Sequence, residues 1–91
     1  MNREITKYQR DIRFMQRETK SIDYEVIYNL DYASDNPNSA ENYASFTVRV
    51  SVDYDKNLTL AQAREKAIEK AHAGLSDLLP IVQSDRFDEN P

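Results

Sequence analysis

Hydrophobic side chains alternate with polar ones in two stretches of the chain. In residues 21–32 the even positions are apolar or aromatic, and only Ile27 interrupts the polar odd positions. In residues 44–55 the even positions are again apolar or aromatic and the odd ones are polar. Because successive side chains of a β-strand point to opposite faces, this period of two predicts two long strands, each with one buried and one solvated face.

A segment rich in turn formers, residues 33–43, separates the two predicted strands and predicts a loop of roughly ten residues. In an antiparallel pair, the sequence numbers of two directly opposed residues always add up to the same sum. This sum must be even if both strands bury their even-numbered side chains on the same face. A sum of 76 would oppose Asp23 and Asp53, whereas a sum of 74 pairs Glu25 with Arg49. Like charges directly opposite one another destabilise a sheet, so the charges favour the second register.

A capping box predicts where a C-terminal helix begins. Thr59 is followed three residues later by Gln62, so each side chain can accept a hydrogen bond from the other residue's backbone amide. The residues that follow repeat with helical spacing, and Pro80 is expected to end the run. The predicted stripe is Leu60, Arg64, Ala67, Ile68, Ala71, Leu75 and Leu78. A small-residue edge containing Ala63 and Gly74 is expected to let this helix approach a sheet crowded with tyrosine rings.

The N-terminal segment fits two structures. Its apolar residues recur at intervals of three and four, which favours a helix over about residues 3–18. These residues are Ile5, Tyr8, Ile12 and Met15. The alternative is a third strand that uses Tyr8, Ile12 and Phe14. We therefore expect a small α+β fold, a single-layer antiparallel sheet packed against a C-terminal helix, with element order αββα or, if the first segment forms a strand, βββα.

Length and composition indicate one small domain. A chain of 91 residues has room for one core, so residues 1–91 are expected to form a single domain. The absence of cysteine suits a reducing compartment, and neither a secretory signal nor an apolar run of membrane-spanning length is evident. We expect a cytoplasmic protein with no membrane partner. Residues 80–91 are acidic and aperiodic, which predicts a flexible tail.

The net charge of −4 hides an uneven distribution. Residues 1–20 carry six basic and three acidic groups, whereas residues 21–91 carry six basic and thirteen acidic groups. Basic side chains neutralise phosphates, so the N-terminal segment, residues 1–20, is a candidate contact for nucleic acid. Its candidate residues are Arg3, Lys7, Arg10, Arg13 and Arg17.

The solvated face of the predicted sheet is expected to be acidic. It sets five carboxylates against one arginine: Asp23, Glu25, Asp31, Asp53, Asp55 and Arg49. Such a face repels nucleic acid and complements a basic groove on a protein. Arg64, a guanidinium within the apolar stripe of the helix, either pairs with a carboxylate or anchors an interface, where arginine is enriched.

Few residues suit catalysis or the binding of a cofactor. One glycine is too few for the phosphate-binding loops of nucleotide sites, and His72 has no second imidazole or thiolate to share a metal ion. Residues 53–57 resemble the opening of a calcium loop, but Leu58 stands where glycine is required and Arg64 where glutamate is required. We therefore expect no enzymatic activity and no catalytic, cofactor or metal site.

The sequence thus favours a binding function. A short, acidic α+β chain without catalytic groups resembles, in size and charge, phage-encoded inhibitors that include some anti-CRISPR proteins. The leading interpretation is a non-enzymatic inhibitor or adaptor that places its acidic face on a basic groove of a nucleic-acid-handling enzyme. The alternatives are a small nucleic-acid-binding domain that uses the basic N-terminal segment, and a subunit of a homo-oligomer, such as a dimer, that completes its sheet across a two-fold axis.

Overall fold

Three strands and one helix make up the fold. The structure is a computed structural model that describes residues 4–36 and 42–85. The elements are β1 (Ile5–Arg17), β2 (Ser21–Tyr32), β3 (Tyr43–Asp53) and α1 (Leu60–Ser84). The strands form one antiparallel sheet in the order β1, β2, β3, which places β2 at the centre. The predicted α+β class is confirmed.

The N-terminal segment is a strand, so the order βββα is confirmed and the helix predicted over residues 3–18 is wrong. β1 pairs with β2 along its length, with Ile12 beside Val26 and Phe14 beside Tyr24. A two-stranded ribbon is marginal in water, and a third strand satisfies the backbone groups on the free edge of β2. This pairing outweighs the local helix propensity of the segment.

β2 and β3 pair in the register that the charges predict. Glu25 lies opposite Arg49, and Val26 lies opposite Val48. β2 has the predicted bounds, whereas β3 ends at Asp53. The even-numbered residues of both strands therefore share the face that α1 covers.

The start of α1 follows the predicted capping box. Thr59 donates its backbone N–H to Gln62 Oε1 at 2.9 Å, and the Gln62 backbone N–H donates to Thr59 Oγ1 at 3.1 Å. The helix continues through Pro80 to Ser84, so the prediction that Pro80 ends it is wrong. Pro80 and Ser76, four residues earlier, are both exposed, and water can therefore satisfy the Ser76 carbonyl that proline leaves without a helical donor. Residues 80–84 are thus helical and Asp85 is the C-cap, whereas the rest of the predicted tail, residues 86–91, lies outside the described residues.

The core lies between α1 and the two strands β2 and β3. Ala63, Ala67 and Ala71 are completely buried, so the helix packs through its small-residue edge, as expected. The predicted stripe is rotated relative to this contact, because Leu60 is 67% exposed. The buried apolar residues of the described chain are Ile22, Tyr24, Val26, Tyr28, Val50, Val52, Ala63, Ala67 and Ala71. The backbone of the helix can approach the sheet closely because the alanine side chains between them are small.

Candidate protein-binding surfaces

The sheet presents two different faces to the surroundings. An α-helix is about 10 Å wide and neighbouring strands lie about 4.8 Å apart, so one helix covers about two strands. α1 packs on β2 and β3. The opposite side of the sheet has no covering element among the described residues, and we call it the open sheet face.

Glu25 is the centre of the open sheet face. Its Oε1 accepts a hydrogen bond from Arg13 Nη2 of β1 at 2.7 Å, and its Oε2 accepts one from Arg49 Nε of β3 at 3.2 Å. Glu25 is 7% exposed, whereas both arginine side chains are mostly exposed. The hydrogen bond from Arg13, with a smaller contribution from Arg49, holds the pKa of Glu25 below its ordinary value.

Two further rows of hydrogen bonds cross the same face. Asp23 accepts hydrogen bonds from Ser51 Oγ and, at 2.8 Å, from Gln16 Nε2, and these bonds lower the pKa of Asp23. Asn29 Oδ1 accepts hydrogen bonds from Tyr43 Oη and from Ser45 Oγ, each at 2.8 Å. Much of the open sheet face is therefore a polar surface on which neighbouring side chains hydrogen-bond to one another.

The remaining residues of the predicted acidic face are placed separately. Asp31 lies opposite Lys7 in the strand register, and Asp53 is exposed at the end of β3. Asp55 follows the strand and accepts a hydrogen bond from the Asn57 backbone N–H at 2.8 Å, so it stabilises a turn. Arg64 is exposed on α1, away from the open sheet face.

The open sheet face has mixed charge because β1 is a strand. Lys7 and Arg13 join Arg49 there, a contribution that a helical N-terminal segment would not have made. The face is therefore less acidic than the sequence predicted. Its use as a binding surface stays a prediction.

The basic residues of the N-terminal segment are divided between the two sides of the sheet. Lys7 and Arg13 lie on the open sheet face, whereas Arg10 pairs with Tyr28 in the register and shares the α1 side. The Arg17 guanidinium lies 4.2 Å from the centroid of the Tyr54 ring, a cation–π contact. Arg3 lies outside the described residues. The four described candidate residues therefore do not form one basic surface.

Exposed apolar side chains gather on the α1 side of the sheet. The rings of Tyr8, Phe14 and Phe46 are each more than half exposed, and aliphatic residues of the last turns of α1 are exposed on the same side of the sheet. We call this set the helix-side surface: Tyr8, Phe14, Phe46, Leu78, Leu79 and Val82. Tyr8, Phe46 and Leu79 also line a groove of about 420 Å³ between the sheet and α1.

Tyr28 forms part of the groove wall. Its ring stacks on Tyr8, with centroids 6.5 Å apart, and lies 5.7 Å from the imidazole of His72. The Tyr28 hydroxyl is buried and finds no hydrogen-bond partner among the described residues. Burial raises the pKa of this phenol. His72 thus lies beside an aromatic ring at the edge of the groove.

The sequence alone does not reveal the helix-side surface. Phe46 follows the same even-numbered pattern as the core residues of β3, so the pattern predicts that it is covered. The signal that could have identified it is geometric, because one helix is too narrow to cover a third strand. In the alternative βββα order, Tyr8 and Phe14 lie on a third strand that a single helix cannot cover.

The described part of the chain offers no cluster of three or more His, Asp or Glu side chains that could hold a metal ion. Within residues 4–36 and 42–85, no helix combines the length and the apolar character needed to cross a membrane. No family model matches the chain, no curated protein matches its sequence, and no solved structure matches its fold.

Proposed function

We propose that the chain is a non-enzymatic protein-binding module that acts through the helix-side surface. The observation that carries this proposal is the exposure of three aromatic rings, Tyr8, Phe14 and Phe46, on one side of a thin sheet. Contiguous exposed apolar patches of several hundred Å² are rare on monomeric proteins and mark sites of interaction.

The chemistry of this surface also supports a protein partner. Aromatic side chains are enriched at binding hot spots because each buries a large apolar area at a small cost in side-chain entropy. Arg10 on β1 and His72 on α1 lie at the margins of the groove and can supply polar contacts around an apolar centre. This combination of an apolar centre and a polar rim is typical of protein interfaces.

The open sheet face remains a second route to a basic partner, as for an inhibitor or adaptor of a nucleic-acid-handling enzyme. Its support is the set of carboxylates that form no ion pair among the described residues, Asp11, Asp31 and Asp53. This route is less favoured, because Glu25 is held between two arginines and Asp23 already accepts two hydrogen bonds.

Capture experiments with purified, tagged chain test the choice of surface. The bait is incubated with a lysate of the native host, and retained proteins are identified by mass spectrometry. The double variant Phe14→Glu, Phe46→Glu is expected to lose capture, because it places charges in an apolar contact. The control Thr47→Glu, an exposed position of β3 on the open sheet face, is expected to keep it.

A third bait, Asp31→Lys with Asp53→Lys, reverses charges on the open sheet face without disturbing the ion pairs of Glu25. Loss of capture in this variant, with capture intact in the Phe14, Phe46 variant, would assign binding to the open sheet face and overturn the proposal. Circular dichroism confirms that each bait is folded.

A further inference from the structure

We infer that the occupant of the helix-side surface is a second copy of the chain. In the resulting two-fold dimer, the C-terminal half of α1 from each copy lies on the uncovered face of β1 in the other. This inference rests on the proposed function and names the partner. Its two surfaces are the β1 stripe, which comprises Tyr8, Arg10, Ile12 and Phe14, and the helix row, which comprises Leu75, Leu78, Leu79 and Val82.

The packing face of α1 continues beyond the part that it buries. Ala67 and Ala71 are completely buried against the sheet, and Leu78 and Val82 extend the same row at helical spacing. These two residues are 47% and 44% exposed. Gly74 lies between the two halves of the row, and a Cβ built there would meet no atom within 4 Å. The first half of the row is therefore closed against the sheet, whereas the second half borders the open groove.

The sheet is one strand wider than the part that α1 covers. α1 packs on β2 and β3 and leaves the α1 side of β1 uncovered, a strip of about 4.8 Å on which part of a second helix, about 10 Å wide, can pack. Tyr8 and Phe14 are more than half exposed along this strip, and Ile12 lies between them. A second helix with a matching aliphatic row would bury all three.

The charges of the two surfaces are complementary. From residue 71 to the C-cap at Asp85, the helix segment carries two acids, Asp77 and Asp85, and no lysine or arginine. The residues of β1 on the α1 side carry Arg10 and Arg17 and no acid. The helix row is therefore apolar with acidic neighbours, and the β1 stripe is apolar apart from Arg10. In a two-fold dimer such a pair of surfaces meets twice, which makes the contact self-complementary.

The two surfaces also offer apolar area. An aromatic ring can bury 150 to 250 Å², so the two half-exposed rings of the β1 stripe, Tyr8 and Phe14, offer roughly 200 Å². Leu78, Leu79 and Val82 of the helix row are each about half exposed and offer a similar area. Each copy therefore contributes roughly 400 Å² of apolar surface, a size typical of a weak and reversible contact.

Light scattering across a roughly hundredfold range of concentration tests the inference. The expected mass rises from 10.6 kDa toward twice that value. Phe14→Glu and Leu79→Glu are each expected to raise the dissociation constant roughly tenfold or more, because each puts a charge in the apolar contact. The control Thr47→Glu is expected to associate as the parent chain does. A mass of 10.6 kDa at every concentration would overturn the inference.

Cysteine cross-linking tests the predicted contact directly, because the chain contains no cysteine. Tyr8→Cys and Leu79→Cys are introduced into separate copies that carry tags of different size, and the copies are mixed with a short bifunctional maleimide. The expected product is the heterodimer that links the two tags. In the matched control, Thr47→Cys replaces Tyr8→Cys and is expected to give much less of that product. Equal yields in the two mixtures would show that β1 of one copy does not lie under α1 of the other.

The result also separates this inference from the proposed function. A strict monomer that captures a different protein through Phe14 and Phe46 would overturn the second copy as occupant and leave the proposed function intact. A strict monomer that captures nothing through these residues would overturn both.

Discussion

Glu25 shows how one residue can connect all three strands. It stands on the central strand and binds Arg13 of β1 and Arg49 of β3 through different carboxylate oxygens. A shift of either outer strand by one residue would carry its arginine to the opposite face of the sheet. Glu25 therefore favours one register on both sides of β2.

This arrangement makes stability depend on pH in the acid range. The pKa of Glu25 is lowered in the folded chain from an ordinary value of 4.5. A carboxyl with a lowered folded pKa contributes stability fully above its unfolded pKa, and that contribution is lost as the pH falls through the folded pKa. The free energy of unfolding is therefore expected to fall as the pH drops below about 4.5.

Glu25→Gln is expected to be less stable than the parent near neutral pH and to show a shallower decline in acid, because it removes the carboxylate that the arginines bind. Urea unfolding at a series of pH values gives the slopes. Adding Asp23→Asn should flatten the decline further, since the pKa of Asp23 is also lowered. Parallel slopes in the parent and in Glu25→Gln would contradict the assignment.

The Tyr28 hydroxyl is a second group whose effect on the free energy of unfolding can be measured. It is buried without a hydrogen-bond partner among the described residues, and such a group costs about 1 to 3 kcal/mol. Tyr28→Phe removes the hydroxyl and keeps the ring, so it is expected to leave the free energy of unfolding unchanged or raise it by about 1 kcal/mol.

Tyr28→Ala is the matched comparison for this prediction. It removes the ring, and the expected loss is about 3 to 5 kcal/mol. Denaturant titration of both variants separates the two contributions. A loss above about 1 kcal/mol in Tyr28→Phe would show that the hydroxyl makes a stabilising bond.

At the scale of elements, α1 owes its position to small residues. Ala67 is completely buried on the face of α1 that packs on the sheet, so a larger side chain would push the helix away. Ala67→Leu is expected to lower the free energy of unfolding by about 1 to 3 kcal/mol through overpacking.

Ala61→Leu, at an exposed position of the same helix, is the control and is expected to change stability by less than about 0.5 kcal/mol. Thermal or urea unfolding of both variants gives the comparison. Equal changes in the free energy of unfolding at the two positions would show that helix propensity, and not packing, causes the loss of stability.

The elements differ in how far the sequence predicts them. β2, the register of β2 with β3 and the capping box of Thr59 follow from local pattern and charge, because each depends on neighbours in sequence or on one strand pair. β1 was uncertain because Tyr8 and Ile12 fit both a helical and a strand spacing. The end of α1 was misplaced because the effect of Pro80 depends on whether water can reach the freed carbonyl.

The candidate surfaces were less predictable than the elements. The mixed charge of the open sheet face depends on where β1 pairs, which brings Arg13 to Glu25. The exposure of Phe46 depends on how much of the sheet one helix can cover. Both are properties of the assembled fold that no single segment contains.

At the scale of the whole molecule, the chain is thin and has two unlike sides. Its extents are 50 × 35 × 18 Å, and its core is a single contact between one sheet and one helix. Many polar side chains of the open sheet face hydrogen-bond to one another, whereas the helix-side surface leaves rings such as Phe14 exposed. A dimer through the helix-side surface would add a second helix to each sheet and leave both polar faces outward.

Such a dimer couples folding to association, so the melting temperature of the parent chain should rise with protein concentration. A species that binds only the folded state at about 100 times its dissociation constant stabilises it by about 2.7 kcal/mol. In a dimer, two copies share this stabilisation. For a chain of this size it then corresponds to a rise in the melting temperature of roughly 5 °C or more.

Circular dichroism melts over a roughly hundredfold range of concentration measure this rise. Thr47→Glu is expected to shift as the parent does, because position 47 lies on the open sheet face. Phe14→Glu is expected to show a smaller rise over the same range, because its association is weakened while its own core is retained. Mass action requires the melting temperature of any folded dimer in equilibrium with unfolded chains to rise with concentration. A parent chain whose melting temperature does not change with concentration would therefore show that the exposed rings are not covered by a second copy.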